Sequence, residues 1–402
     1  MKTIFRNFRL IDSTQDTVGT VLVTDCGTIG AVITDTQAKL PDVYRIFDGG
    51  GRLVLSPAFV DMHTHLRDPG FPEKETLESA ALAAAAGGFG TLVCMANTKP
   101  VIDNLALAQL LKQRSDVLGI IDLYPAMALT HALEGQELSG ITESLPDTIR
   151  LLSEDGKDIY DDALFLAALQ AASRADKMVS CHCEAGGESA AVARAITLGK
   201  KAGCRIHIAH VSTQAAVATI RREKSKPDAR LSCEISPHHC ALTQKDARKL
   251  GAETFGLVAP PLRTEDDRRA IKEGLCDGTI NVIATDHAPH TSSDKEAGSP
   301  GFTGLETAFA VCNTVLVREN HISPQKLSDS MSAEPARLLG FSDRGRLASG
   351  LYADLVVLDP EQQRTVNPAL FYSRGKNTPF AGRTWYGVVL LTMHRGRIVY
   401  ES

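Results

Sequence analysis

Asp61-Met62-His63-Thr64-His65-Leu66-Arg67-Asp68 follows directly on the apolar run 53–60. Side chains alternate along an extended strand, so His63 and His65 are expected to point the same way and to share one metal ion. Arg67, two residues on, is placed to hold an anionic substrate group beside that metal. Later apolar runs end in Ser153-Glu154-Asp155-Gly156, Cys181-His182-Cys183-Glu184, His207-Ile208-Ala209-His210 and Ala284-Thr285-Asp286-His287-Ala288-Pro289-His290. Any one of these residues alone is more often a hydrogen-bonded core or loop residue than a ligand. Taken together, four His and two Asp suit a borderline metal such as zinc. They exceed the needs of one tetrahedral ion, so two ions bridged by a shared carboxylate are expected. Metal-bound water loses a proton near neutral pH and becomes a nucleophile. A second ion could polarise a carbonyl oxygen, and a neighbouring carboxylate could carry the proton to a leaving nitrogen. That chemistry is amide hydrolysis or its reversal.

These residues need elements that bring them to one place. Strands are expected near 57–63, 90–97, 122–129, 149–154, 178–183, 205–211, 231–236 and 281–286. Helical stretches alternate with them at 73–86, 162–175, 187–202, 213–223 and 266–276. The order predicts an α/β fold, a (β/α)8 TIM-like barrel over residues 53–344, with a doubly wound sheet as the alternative. The polar residues decide for the barrel, because they collect at the C-terminal ends of several strands, where barrels carry their sites. Residues 1–52 and 345–402 alternate short β-like runs with turns and hold no long amphipathic helix. They predict one small β-sandwich domain built from both ends of the chain.

The chain has 402 residues, 43% of them hydrophobic, and a net charge of −5. It can bury a large core, and nothing in it suggests a nucleic acid or an acidic membrane surface as partner. Charged residues interrupt its first apolar positions, unlike a secretory leader, and no run is apolar enough to span a bilayer. Nine cysteines without paired spacing fit reduced thiols, so the cytoplasm is the expected compartment.

The stretches 61–70 and 284–290 resemble the two signatures of the amidohydrolase superfamily and, within it, of the dihydroorotases. Met95-Ala96-Asn97-Thr98, Glu234-Ile235-Ser236-Pro237-His238-His239, Pro260-Pro261-Leu262-Arg263 and Gly304-Leu305-Glu306-Thr307 add to the likeness. The resemblance implies zinc-dependent, reversible cyclisation of N-carbamoyl-L-aspartate to L-dihydroorotate in pyrimidine biosynthesis. A metal-bridging hydroxide would attack the ring carbonyl, with Asp286 as proton shuttle. It implies His63 and His65 on one zinc, His182 and His210 on a second, Asp155 bridging the two, and Asp286 on the first. Lys157, the alternative bridge, lies beyond Gly156, where the strand should have ended. Arg67, Asn97 and His290 would grip the substrate carboxylate, and a homodimer is the assembly the likeness suggests. Ala259 stands where the family often has Asn, and the connection from His182 to His210 is shorter than in many relatives. A hydantoinase-, dihydropyrimidinase- or allantoinase-like enzyme, or a non-catalytic homologue, are the competing readings.

Other chemical-looking residues read as structural. Cys181 and Cys183 should pack opposite to His182, and His238 and His239 should brace a strand end. His207, one residue off the parity of His210, should face the helices. His131, His321 and His394 have no sequence companions, and 292–300 looks like a mobile loop at the site's mouth.

Overall fold

The computed structural model describes residues 3–34 and 45–402. The β-domain expectation for 1–52 includes residues 1–2 and 35–44, which lie outside the described residues.

The early strands are β1 (Thr3–Asp12), β2 (Gln15–Val23), β3 (Ile29–Ile33), β4 (Arg45–Asp48) and β5 (Val54–Pro57). The barrel strands are β6 (Phe59–Thr64), β7 (Phe89–Cys94), β8 (Asp122–Pro125), β9 (Leu151–Ser153), β10 (Met178–Cys181), β11 (Ile206–Ile208), β12 (Leu231–Ile235) and β13 (Val282–Ile283). The late strands are β14 (Leu355–Thr365), β15 (Thr384–His394) and β16 (Arg397–Glu401).

The early and late strands form one eight-stranded sheet, ordered β16-β15-β14-β5-β1-β2-β3 with β4 beside β1. Both ends of the chain therefore meet in one sheet. It also takes β5, just past residue 52, which pairs with β1 and with β14. Alternating residues of distant strands (Phe5, Leu10 and Ile29; Leu355, Leu391 and Met393) share one buried cluster, so the sheet curls about its own core.

β6-β7-β8 and β9 to β13 are parallel sheets of three and five strands. Two parallel bridges join them into a ring. Met127 pairs with Leu152 between β8 and β9, and Thr64 pairs with His287 just beyond β13. At the second seam His65 N–H donates to His287 O at 2.8 Å. The alternation is visible on β10, where Met178 joins the inner cluster with Val60, Met62, Val93, Leu151 and Val282. Val179 and Cys181 face the helical layer instead.

That layer includes α1 (Leu77–Ala86), α2 (Leu105–Leu118), α3 (Asp162–Arg174), α4 (Glu188–Ala202), α5 (Gln214–Lys224), α6 (Pro237–Ala241), α7 (Gln244–Leu250), α8 (Glu265–Cys276) and α9 (Ser292–Glu296). Short polar side chains begin them: Asn104 caps α2, Thr213 caps α5, and Thr264 with Asp267 forms a capping box on α8. Gly88, between α1 and β7, has φ 88°, and an added Cβ would meet the Phe59 ring at 3.0 Å. The pair Gly87-Gly88 is thus a tight helix-to-strand turn.

Under the barrel, where β8 begins, Arg344 Nη1 lies 2.7 Å from Asp122, and Arg395 Nη2 lies 2.9 Å from the same carboxylate. His394 Nδ1 is 3.2 Å from Asp354. This buried network fastens the terminal sheet to the barrel floor. His394 is therefore buried among acids and has companions, against the sequence expectation, because its partners come from a distant strand. No helix among the described residues is long and apolar enough to cross a membrane.

Candidate active site

β6 carries Val60 and Met62 inward, and its register with β7 shifts between Asp61 and Thr64. Past that irregularity His63 and His65 face the barrel axis, their ring centroids 5.3 Å apart. His63 Nε2 lies 3.2 Å from Asp155 Oδ1 and 3.6 Å from Asp286 Oδ1. His65 Nε2 lies 3.2 Å from Asp286 Oδ1 and 3.5 Å from Asp155 Oδ2. His210 Nε2 is 3.9 Å from Asp155 Oδ1, and its ring meets that of His182 at 4.6 Å. Four strand ends thus bring His63, His65, Asp155, His210 and Asp286 into one buried cluster, and a fifth sets the half-buried His182 against His210, outside both of the closest ligand groupings.

The turn after β9 aims Asp155. Ser153 Oγ accepts from Asp155 N–H and donates to Ser180 O, while Glu154 accepts from the N–H groups of Leu129 and Thr130. Glu154 is thereby turned away and Asp155 inward. Lys157 is exposed beyond the turn. Asp61 ties the two ends of the barrel seam together, accepting from His63 N–H and Thr285 N–H, each at 3.1 Å. Burial pushes the Asp61 carboxyl up to about 7. His210 (φ 29°) and Asp286 (φ 49°) have left-handed backbones, local strain that this frame holds in place.

Two partners orient the histidines, and neither role follows from sequence spacing. Glu234 Oε1 accepts from His63 Nδ1 at 2.6 Å, and its Oε2 accepts from His207 Nε2 at 3.0 Å. His207 Nδ1 lies 2.8 Å from Ser232 Oγ. His207 therefore points into the barrel, below the cluster. Parity counted back from His210 fails because β11 ends at Ile208 and the chain turns at His210. Asn97 Oδ1 accepts from His65 Nδ1 at 3.0 Å. With Nδ1 of each ring donating outward, Nε2 is the atom that His63 and His65 turn toward the cluster.

The electrostatics suit a cation. Burial would raise Glu234, but His63 and His207 hold it down to about 2. Burial likewise opposes ionisation of Asp286 and Asp155, yet the neighbouring histidines bring both below the usual carboxylate range. Burial, with His182 and His63 nearby, lowers His210 to about 3 and leaves it neutral. His63 Nε2, Asp155 Oδ1 and His182 Nδ1 are buried without a hydrogen-bond partner. Unpaired polar atoms converging on one point are costly unless an ion takes them up. Two groupings, His63–His65–Asp286 and His63–Asp155–His210, bring their ligand atoms within 4.8 Å of one another. The residues fit a divalent metal centre.

Above the cluster, Arg67 Nε donates to Pro289 O at 3.3 Å, and its Nη2 lies 3.2 Å from His290 Nε2. Arg67 forms no ion pair among the described residues, and burial lowers its pKa to about 10, so it stays charged. Burial and Arg67 lower His290 to about 3, leaving the ring neutral, with Nδ1 buried and unpartnered. A half-buried guanidinium with no ion pair, beside a neutral imidazole, has the chemistry to receive a carboxylate.

Cys181 and Cys183 pack in the helical layer, as their parity predicts. His238 and His239 both contact Ser236 Oγ, bracing the end of β12. Residues 292–300, expected as a mobile loop, contain α9 and the fully buried Lys295. Its Nζ donates to Leu257 O, Ser299 O and Gly301 O at 2.8–3.0 Å. His131 pairs with Asp103 at the surface.

The model of the amidohydrolase family matches residues 54–399. A dihydroorotase from Clostridium botulinum is 36% identical over 414 residues, covering 100% of both chains. One from Caldanaerobacter subterraneus is 39% identical over 386 residues, covering 89% of this chain and 88% of its own. Among solved structures, an L-hydantoinase (dihydropyrimidinase) from Arthrobacter aurescens aligns with a TM-score of 0.86 at 27% identity, covering 99% of this chain and 96% of that one. A D-hydantoinase from a Thermus species reaches 0.86 at 22% identity, covering 100% and 96%, which shows the shared fold.

Proposed function

The chain belongs to the amidohydrolase family, and we propose that it is a dihydroorotase, opening and closing the cyclic amide of L-dihydroorotate. The observation that carries the reading is Arg67, without an ion pair among the described residues, beside His290 and within the electrostatic reach of Asp286 and Asp155. Full-length likeness to dihydroorotases supports the same substrate.

His63, His65 and Asp286 would hold one ion, and His182 and His210 a second, with Asp155 between them. We read the ions as zinc, two per chain. Bound there, the metal supplies Lewis acidity and a water acidic enough to attack near neutral pH. Arg67, His290 and the Asn97 amide orient the substrate by its carboxylate, presenting the ring amide to the cluster. In hydrolysis, Asp286 takes the proton of the attacking water and delivers it to the departing ring nitrogen. In the biosynthetic direction it takes that proton back from the carbamoyl nitrogen as the ring closes. The same reading takes 1–52 and 345–402 as a β domain, 53–344 as the hydrolase barrel, the assembly as a homodimer and the compartment as the cytoplasm.

The competing substrate is a hydantoin-like ring, which the fold neighbours and Ala259 favour. Arg67→Met separates the two. It should lower kcat/KM for dihydroorotate by about 100-fold, the loss of a charge-assisted pair. Turnover of carboxylate-free hydantoin should stay within about threefold. Equal losses on both substrates would overturn the assignment of Arg67 and, with it, the reading.

A further inference from the structure

We propose that Asn377, in the connection between β14 and β15, is a positioning residue for the substrate's anionic end. The inference rests on the reading of Arg67 and His290 as the carboxylate grip.

Asn377 is buried, with 7% of its surface exposed. Its Oδ1 accepts from His290 N–H at 2.9 Å, and its Nδ2 donates to Ala288 O at 2.9 Å and to Gly301 O at 3.0 Å. Its own carbonyl accepts from Thr303 N–H at 3.2 Å. The amide side chain therefore ties 288–290 to Gly301, beside the backbone bond from Ala288 N–H to Phe302 O, while the main chain of Asn377 holds Thr303. The backbone leading to it lies flat on the same loop, because a Cβ added at Gly375 would stand 2.6 Å from Pro289 Cβ. Two residues earlier, Ser373 Oγ donates to the buried Glu75, which accepts from His287 Nε2 at 3.2 Å.

The clamped stretch holds the anion grip. Pro289 O accepts from the Arg67 guanidinium, and the His290 ring, whose Nε2–H donates to Pro300 O at 2.9 Å, stands against it. Removing the Asn377 amide leaves Ala288 O and His290 N–H without their partners, inside a buried loop. Arg67 then loses its fixed supports. The ligand cluster is secured separately, by Asp61 on Thr285 and by Glu234 on His63. Loss of the clamp should therefore weaken the hold on the carboxylate and spare the chemical step.

The test is the steady-state kinetics of zinc-loaded protein on L-dihydroorotate, with Asn377→Ala made alone and in an Arg67→Met background. N377A should raise KM about tenfold or more, with kcat within about threefold. In the R67M background it should cost clearly less than in wild type, because the part of its effect that passes through Arg67 is already lost and only the part through His290 remains. A fall in kcat at unchanged KM, or full multiplication of the two losses, would overturn the proposal. Wild-type protein inert on dihydroorotate would instead sink the underlying reading. N377S, with a side chain small enough for the same space, accompanies N377A in case the latter does not fold. It should shift KM in the same direction, and an unshifted KM in folded N377S would also overturn the proposal.

Discussion

Glu234→Gln alters one terminal group and asks how firmly the cluster is held. The carboxylate accepts from His63 Nδ1 at 2.6 Å and from His207 Nε2 at 3.0 Å, all within the barrel. An amide offers only one acceptor. With its oxygen toward His63, its NH2 meets His207 Nε2, and His207 must move its proton to Nδ1 and donate to Ser232 Oγ, 2.8 Å away. His63 keeps its tautomer but exchanges a charge-assisted bond for a neutral one. That difference is about 1–2 kcal/mol, or about 5- to 30-fold in metal affinity. Loss of such a partner usually costs about 10- to 100-fold. Equilibrium dialysis against zinc with a competing chelator measures the affinity, and dihydroorotate kinetics at excess zinc measure the rest. The variant should bind zinc about 5- to 30-fold more weakly and recover most of its turnover when zinc is saturating. Zinc affinity within about threefold of wild type would refute the reasoning.

Asp286→Ala should abolish turnover while leaving the thermal transition near that of the wild-type protein; retained activity would remove Asp286 from proton transfer. Arg344→Met strips the buried Asp122 of one of its two arginines and should cost about 3 kcal/mol of stability, read by chemical denaturation. A change within about 0.5 kcal/mol would show the network to be idle. Glu306, which accepts from Tyr372 N–H and Ser373 N–H, is pushed up to about 7 by burial. The folded chain then binds more protons than the unfolded one between the ordinary glutamate range and about 7, so this group's contribution to stability falls as pH rises through that window. Glu306→Gln should remove that fall, its stability gaining on wild type by about 1–3 kcal/mol between about pH 5 and pH 8. Parallel curves would contradict it.

Much of this molecule is legible in its sequence, for a physical reason. The eight barrel strands lie where apolar runs meet chemistry-bearing residues, because a buried parallel strand must be apolar until its C-terminal end reaches the mouth. The cluster residues sit at those ends, so position and residue type agree. What escaped depends on neighbours in space. Glu234 lies within an apolar strand, and its role needs His63 from β6 and His207 from β11. Parity counting misplaces His207 because the left-handed turn at His210 breaks the alternation on which it relies. The stretch 292–300 has the composition of a loose loop, yet its one long cation turns inward to three backbone carbonyls. Asn377 lies far along the chain from the loop it clamps, and no local pattern connects them.

The measurement that bears most directly on the central claim is ring opening of L-dihydroorotate by the zinc-loaded wild-type protein, with hydantoin assayed alongside. Efficient turnover of dihydroorotate, well above that of hydantoin, is the predicted result and would show that Ala259 is compatible with the reaction. Turnover of hydantoin without dihydroorotate, by protein carrying its full complement of zinc, would contradict the account.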